Sequence, residues 1–243
     1  MTAPPRDRIT LQLAGETVLL LAQKALYWPA RKTLMVADIH FGKAAAFRAA
    51  GVPVPQGTTT QNLAALDALM VLHAVEHIVF LGDFLHARAA HAASTMAALL
   101  AWRARHGACR LTLVRGNHDA HAGDPPPALG MAMVDEPFAC GPFLLCHHPD
   151  LADSASESDS DRAGAAYRLA GHVHPVYRLA AGRDALRLPC FLVGPGALVL
   201  PSFGAFTGGH AVRPAPHERL FLVAGDALLE LAPRDAASAG TAV

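Results

Sequence analysis

The sequence predicts an α/β fold in which two β-sheets pack face to face, with helices outside. Three observations predict it. Short apolar runs at residues 34–37, 78–81, 111–114 and 143–146 have the length and composition of buried strands. Segments with helical spacing separate the first three of these runs. Both ends of the chain carry short β-like runs with Gly and Pro turns. The chain therefore starts β, alternates β and α in the middle, and ends β.

Taken in order, residues 9–13 and 17–21 flank Ala14-Gly15-Glu16 and read as a hairpin. Residues 43–50 form an Ala-rich helix stopped by Gly51 and Pro53. Residues 58–74 form the next helix, with Thr58 or Thr59 as N-cap and Leu63, Leu66, Leu69 and Met70 at helical spacing. Residues 88–105 read as one long helix, and 167–170 as a further strand. Beyond His174, the runs 177–180, 186–192, 197–200, 220–223 and 227–231 read as short strands. No internal repeat or domain boundary is visible, so one domain over 1–232 is expected, with 233–243 as a disordered tail. The Ser- and acid-rich stretch 150–164 reads as a mobile loop near the mouth of any site.

Composition narrows the function. A chain of 243 residues is ample for a core, since one near this size buries roughly 70% of its unfolded surface. The formal net charge is zero, so no global field attracts duplex nucleic acid. A polyanionic partner must be held by a local patch. No apolar run approaches the roughly 18 residues needed to span a membrane, and residues 1–8 lack the apolar core of a signal peptide. Cys109, Cys140, Cys146 and Cys190 occur singly with no CxxC pair, which suits free thiols in a reducing cytoplasm. A cytoplasmic protein without a membrane partner is expected.

Chemistry is concentrated in five motifs: Asp38-Ile39-His40, Gly82-Asp83-Phe84-Leu85-His86, Gly116-Asn117-His118-Asp119, Cys146-His147-His148 and Gly171-His172-Val173-His174. Each follows an apolar run, so each sits just past the C-terminal end of a strand. That rim is where open α/β sheets bind ligands. Imidazole suits Mn, Fe, Co and Zn, and a carboxylate adds charge and can join two ions. About seven metal-ligand side chains converge on one edge.

These five motifs, in this order, resemble those of the calcineurin-like metallophosphoesterases. A narrower resemblance reaches from about residue 34 to 209. It rests on Asp38-Ile39-His40-Phe41-Gly42-Lys43, Gly51-Val52-Pro53-Val54-Pro55, Gly57-Thr58-Thr59, Cys146-His147-His148-Pro149, Ala170-Gly171-His172-Val173-His174-Pro175 and Pro201-Ser202-Phe203-Gly204-Ala205-Phe206-Thr207-Gly208-Gly209. These look like the bacterial ligase-associated DNA-damage-response endonucleases (PdeM type).

The resemblance implies the metallophosphoesterase four-layer fold, a two-sheet sandwich flanked by helices. It implies two divalent ions, with Mn²⁺ the expected metal. Asp38, His40 and His174 would take one ion, Asn117, His147 and His172 the other, and Asp83 would join them. His118 would be the general acid, with Asp119 orienting it. The expected function is a phosphodiesterase cutting DNA, single strands preferred, beside a DNA ligase and helicase in repair. Homodimerisation is left open. The five motifs are equally compatible with a small-molecule nucleotide or cyclic-nucleotide phosphoesterase. A catalytically dead scaffold is disfavoured, because His118 is present. His86 and His148 stay open between metal, substrate and supporting roles. His73, His77, His91, His106, His121, His210 and His217 are expected to be packing or surface residues. Lys43 and Arg48 are expected on a solvated helix face.

Overall fold

A computed structural model describes residues 6–54, 57–149, 166–181 and 184–231. The expected tail 233–243 and the acidic stretch 150–164 lie outside the described residues. No helix among the described residues is long and apolar enough to cross a membrane.

The hairpin forms as expected, from β1 (Arg8–Leu13) and β2 (Glu16–Leu21). It continues into β3 (Ala25–Trp28) and β4 (Thr33–Ala37), each antiparallel to the strand before it. After α1 (Lys43–Ala49) and α2 (Thr58–His73) comes β5 (His77–Leu81). Helix α3 (Ala93–Arg105) leads to β6 (Arg110–Val114), and short α4 (Asn117–Ala122) to β7 (Met131–Val134). Strands β1 to β7 form one sheet in chain order, with β4 to β7 parallel.

A second sheet holds β8 (Phe138–Cys140), β9 (Phe143–Leu145), β10 (Tyr167–Ala170), β11 (Pro175–Ala181), β12 (Asp184–Val193), β13 (Ala197–Val199) and β14 (His210–Ala211). Its order is β14-β11-β12-β13-β10-β9-β8, and β15 (Arg219–Ala224) and β16 (Ala227–Leu231) branch from β12.

The central strands are buried on both faces, which is why they read as continuous apolar runs. On β4, Leu34 and Val36 face the helices while Met35 and Ala37 face the second sheet. On β5, Ile78 and Phe80 face Leu66 of α2 and Trp102 of α3, while Val79 and Leu81 meet Phe143, Leu169 and Phe221. This is the predicted architecture.

Two helical expectations change. Thr58 does not cap α2; Gly57 does, in a left-handed conformation (φ 82°), and Thr58 is the first helical residue. The helix expected over 88–105 is interrupted. A 3-10 turn covers Arg88–His91, and Ala92 is extended (ψ 139°) before α3 begins. The break packs Ala90 against Gly42, where a Cβ on the glycine would lie 2.5 Å from the Ala90 backbone. Strands β3, β7 and β8 were not legible as strands.

Parallel register sets the rim. Ala37 pairs with Leu81, Leu81 with Val114, and Val114 with Val134. The residues following each therefore emerge at one level. An Ala37–Ser202 bridge ties the two sheets together at the same edge.

Candidate metal centre

The first, second and fifth motifs turn sharply at strand ends, and the backbone records it. Nine non-glycine residues among those described have positive φ, and five are Asp38 (52°), His40 (48°), Asp83 (48°), His172 (67°) and His174 (47°). The left-handed region costs an L-residue roughly 1–2 kcal/mol. Such strain persists where the surroundings over-determine it, typically at functional sites. Here the turn folds each side chain back over the rim.

The motif glycines make room for those side chains. A Cβ on Gly82 would lie 1.9 Å from Nδ1 of His147, on Gly116 2.5 Å from Oδ1 of Asp83, and on Gly171 2.8 Å from Oδ2 of Asp38. Gly82 also has φ 74°. We expect Gly82→Ala to displace the His147 ring and to add left-handed strain. Melting and bound-metal content should both fall, and unchanged metal content would show that His147 is not held by this contact.

The predicted residues converge. Asp38, His40, Asp83 and His174 bring ligand atoms within 4.8 Å of one another. The Nε2 atoms of His40 and His174 are 3.3 Å apart, and His40 Nε2 lies 3.7 Å from Asp83 Oδ2. Beside them, Nε2 of His147 lies 2.8 Å from Asn117 Oδ1, 3.1 Å from His172 Nδ1 and 3.5 Å from Asp83 Oδ1. Asp83 stands between the two groups. Asp38, Asp83 and His147 are almost fully buried, while Asn117 and His172 are open to solvent.

Electrostatics favour cation binding. Burial pushes the Asp38 carboxyl up, and burial followed by the nearby Asp38 charge pushes Asp83 up to about 7. Burial lowers His40 strongly and, with the charge of His172, brings His147 down to about 3. His40 and His147 are thus held neutral, with lone pairs available to a cation.

His118 sits beside this centre. Its amide donates to Asp83 Oδ1 (3.0 Å), its Nδ1 lies 2.9 Å from the His86 carbonyl, and its Nε2 lies 4.0 Å from Asp83 Oδ2. Asp119 is placed differently from the expectation that it orients His118. Its Oδ1 accepts from the amides of Phe84 (2.9 Å) and Leu85 (3.2 Å), and its Oδ2 from that of Gly116 (2.9 Å). The reason is local. Asp119 is the third residue of α4, and a carboxylate there reaches back to the N-cap amide. It thereby pins the second motif to the third, and the carbonyl of His86 contacts the His118 ring in its stead.

The two open histidines also converge. His86 groups with His40 and His118, and His148 with His147 and His172. His148 has a partner that the sequence reading missed. Glu136 accepts from the amides of His147 (2.5 Å) and His148 (2.8 Å), and its Oε1 lies 2.6 Å from His148 Nδ1. Its signal was an acid just past the unrecognised strand β7. The remaining histidines stay outside these clusters. His77 contacts Thr112, His91 the Ala122 carbonyl, His106 Asp67, and His121 the Asn117 carbonyl.

The 201–209 segment braces the first motif. Ser202 Oγ donates to the Asp38 carbonyl (2.7 Å), and Asn62 links the Ile39 carbonyl (3.1 Å) to the Ala205 amide (2.9 Å). A Cβ on Gly204 would meet the Ile39 carbonyl at 2.7 Å. Below it, the half-buried Lys24 donates its ammonium to the Phe203 carbonyl (2.8 Å).

The comparisons agree with this site. Residues 32–211 match the calcineurin-like phosphoesterase superfamily domain, a span containing all five motifs. The crystal structure of Pseudomonas putida nuclease MPE is similar over 92% of this chain and 100% of that one, at 43% identity and TM-score 0.77. The E. coli phosphoesterase Yfce is a remote neighbour, at 15% identity and TM-score 0.36 over 84% of this chain and 93% of that one. No curated protein matched the chain. With the family model covering most of the chain and the motifs gathered at one rim, the chain belongs to the calcineurin-like phosphoesterase superfamily and is a metal-dependent phosphoesterase.

Proposed function

We propose that this protein is a dinuclear DNA endonuclease that cuts single strands in preference to duplex, with Mn²⁺ as its ion and DNA repair as its setting. One observation carries the substrate class: a nuclease is 43% identical to this chain along its whole length. The strand preference rests on charge. A protein of zero net charge lacks the excess of Lys and Arg that drives nonspecific duplex binding. A flexible strand can lay one phosphate across an open rim without bending a duplex. Functional association with a DNA ligase and helicase belongs to the same reading.

Asp38, His40 and His174 would hold one ion, and Asn117, His147 and His172 the second, with Asp83 reaching both. The donors fit. A neutral imidazole nitrogen carries at most one proton, yet His147 Nε2 faces three polar atoms, and the buried Asp38 Oδ1 has no hydrogen-bond partner. A cation at each of the two groups would satisfy them. Imidazole, carboxylate and amide oxygen suit Mn²⁺. When bound, divalent ions lower the pKa of water from about 15.7 toward about 7 and withdraw charge from the phosphate.

The chain's own groups do the rest. The His86 carbonyl holds the Nδ1 proton of His118, leaving Nε2 to carry a proton to the leaving oxygen. Asp119 fixes the loop that supplies this carbonyl. Asn117 contributes a neutral oxygen, so that two carboxylates, Asp38 and Asp83, do not cancel the charge of two divalent ions.

Circular single-stranded DNA tests the function, because it has no ends. Mn²⁺-dependent linearisation is expected, with slower action on duplex. An intact circle together with fast turnover of a mononucleotide or cyclic nucleotide would assign the site to small substrates. Metal binding has its own readout. Adding Mn²⁺ to chelator-treated protein at about 100 times Kd should stabilise it by about 2.7 kcal/mol, raising Tm by roughly 5–10 °C. An unmoved melting curve would refute a built metal site.

A further inference from the structure

The phenylalanines near the site are not alike. Phe41, Phe80, Phe84 and Phe203 are buried in the core between the helices and the first sheet. Phe47 on α1 and Phe206 in the bracing segment are only half-buried, and neither belongs to the buried core clusters. They meet edge to face, with ring centroids 5.7 Å apart at 89°. Phe47 lies 6.0 Å from His86, and His86 stacks on His118 at 5.0 Å and 22°. A ladder of rings therefore runs outward from the general acid: His118, His86, Phe47, Phe206. Two distant parts of the chain meet to make its outer half.

We propose that Phe47 and Phe206 form a stacking subsite for the base of the leaving-side nucleotide. The inference rests on the endonuclease reading above and names what that site recognises beyond the phosphate. The argument is directional. His118 gives its proton to the leaving oxygen, so the leaving nucleoside lies on the His118 side of the cleaved bond. The surface continuing on that side is aromatic, and every base has a face that stacks on such rings without sequence preference. An unpaired base can reach it, whereas a paired base is already held in its own stack. The subsite thus favours single strands by geometry, in addition to the weak duplex binding that zero net charge implies. Lys43, half-buried at the start of α1 and close enough to act electrostatically on His40 and His86, supplies a cation on the same flank for the strand's phosphates.

The test uses short single-stranded oligonucleotides with one hydrolysable phosphodiester, with or without the base on the leaving-side nucleotide. Wild type should lose about 10-fold in kcat/KM on removal of that base, the scale of one base–aromatic stack. Phe47→Ala and Phe206→Ala should lose about as much on the intact substrate and nothing further on the abasic one. Phe47→Trp should retain wild-type discrimination. Equal losses on both substrates would make these rings merely structural and overturn the subsite, as would a wild type indifferent to the base. Wild type inactive on every oligonucleotide, yet active on a chromogenic phosphodiester, would overturn the endonuclease reading and the subsite with it.

Discussion

Asp83→Ala should abolish phosphodiesterase activity, by more than about 10³-fold, and strip the protein of most of its metal. Asp83 stands between both groups of ligand atoms, with one oxygen 3.7 Å from His40 Nε2 and the other 3.5 Å from His147 Nε2. The loss should exceed that of a single charge-stabilising donor, typically 10²–10³-fold, because the substitution weakens both ions and leaves the His118 amide without its acceptor. Asp83→Asn keeps the shape and separates these effects, and it adds a test by pH. Burial raises the Asp83 pKa in the fold above its unfolded value. The metal-free fold therefore holds this proton more tightly than the unfolded chain. Its contribution to stability is full below pH about 4 and is lost as pH rises toward about 7. Metal-free wild type should accordingly lose stability relative to metal-free Asp83→Asn as pH rises through that window, and saturating Mn²⁺ should reverse the order at pH 8. Full activity and metal occupancy in Asp83→Ala would refute a shared carboxylate.

His118→Ala should keep metal and fold but lose rate. Positioned proton transfer contributes typically 10²–10⁴-fold, so a loss in that range is expected on DNA. The loss should nearly vanish with a p-nitrophenyl leaving group, which departs without a proton. Metal content should be unchanged, since the His118 ring is turned by the His86 carbonyl on the flank of the centre. The geometry adds a comparison. Asp119→Asn disturbs the backbone amides that Asp119 binds rather than the His118 ring, so it should lower stability and rate together on both substrates. If Asp119→Asn instead copied the leaving-group selectivity of His118→Ala, the carboxylate would act on the proton after all. Equal losses for His118→Ala on poor and good leaving groups would make His118 a contact to the phosphate.

The site was legible in the chain to the extent that its chemistry is local. A buried parallel strand must be apolar along its length, so its end is marked by the first polar residue. Asp38, Asp83, Asn117, His147 and His172 each follow such a run within a few positions. Less regular elements escaped notice. Strand β3 is four residues long, and β8 three, too short to show alternation. The break before α3 comes from Ala90 packing on Gly42, a contact between residues far apart in the chain.

The sequence by itself determined the two-sheet α/β fold, the five motifs at strand ends and the residue types on the rim, because strand burial and ligand chemistry are written in consecutive residues. Tertiary structure alone decided which of them meet. Parallel register brought Ala37, Leu81, Val114 and Val134 level, and this placed Glu136 against His148 and Asp83 between two groups of histidines. It turned Asp119 onto backbone amides and away from the His118 ring, and it carried the 201–209 segment back to brace Asp38 and to set Phe206 beside Phe47. These are contacts across long loops. Their energies depend on distances of a few ångströms that no local run of residues encodes.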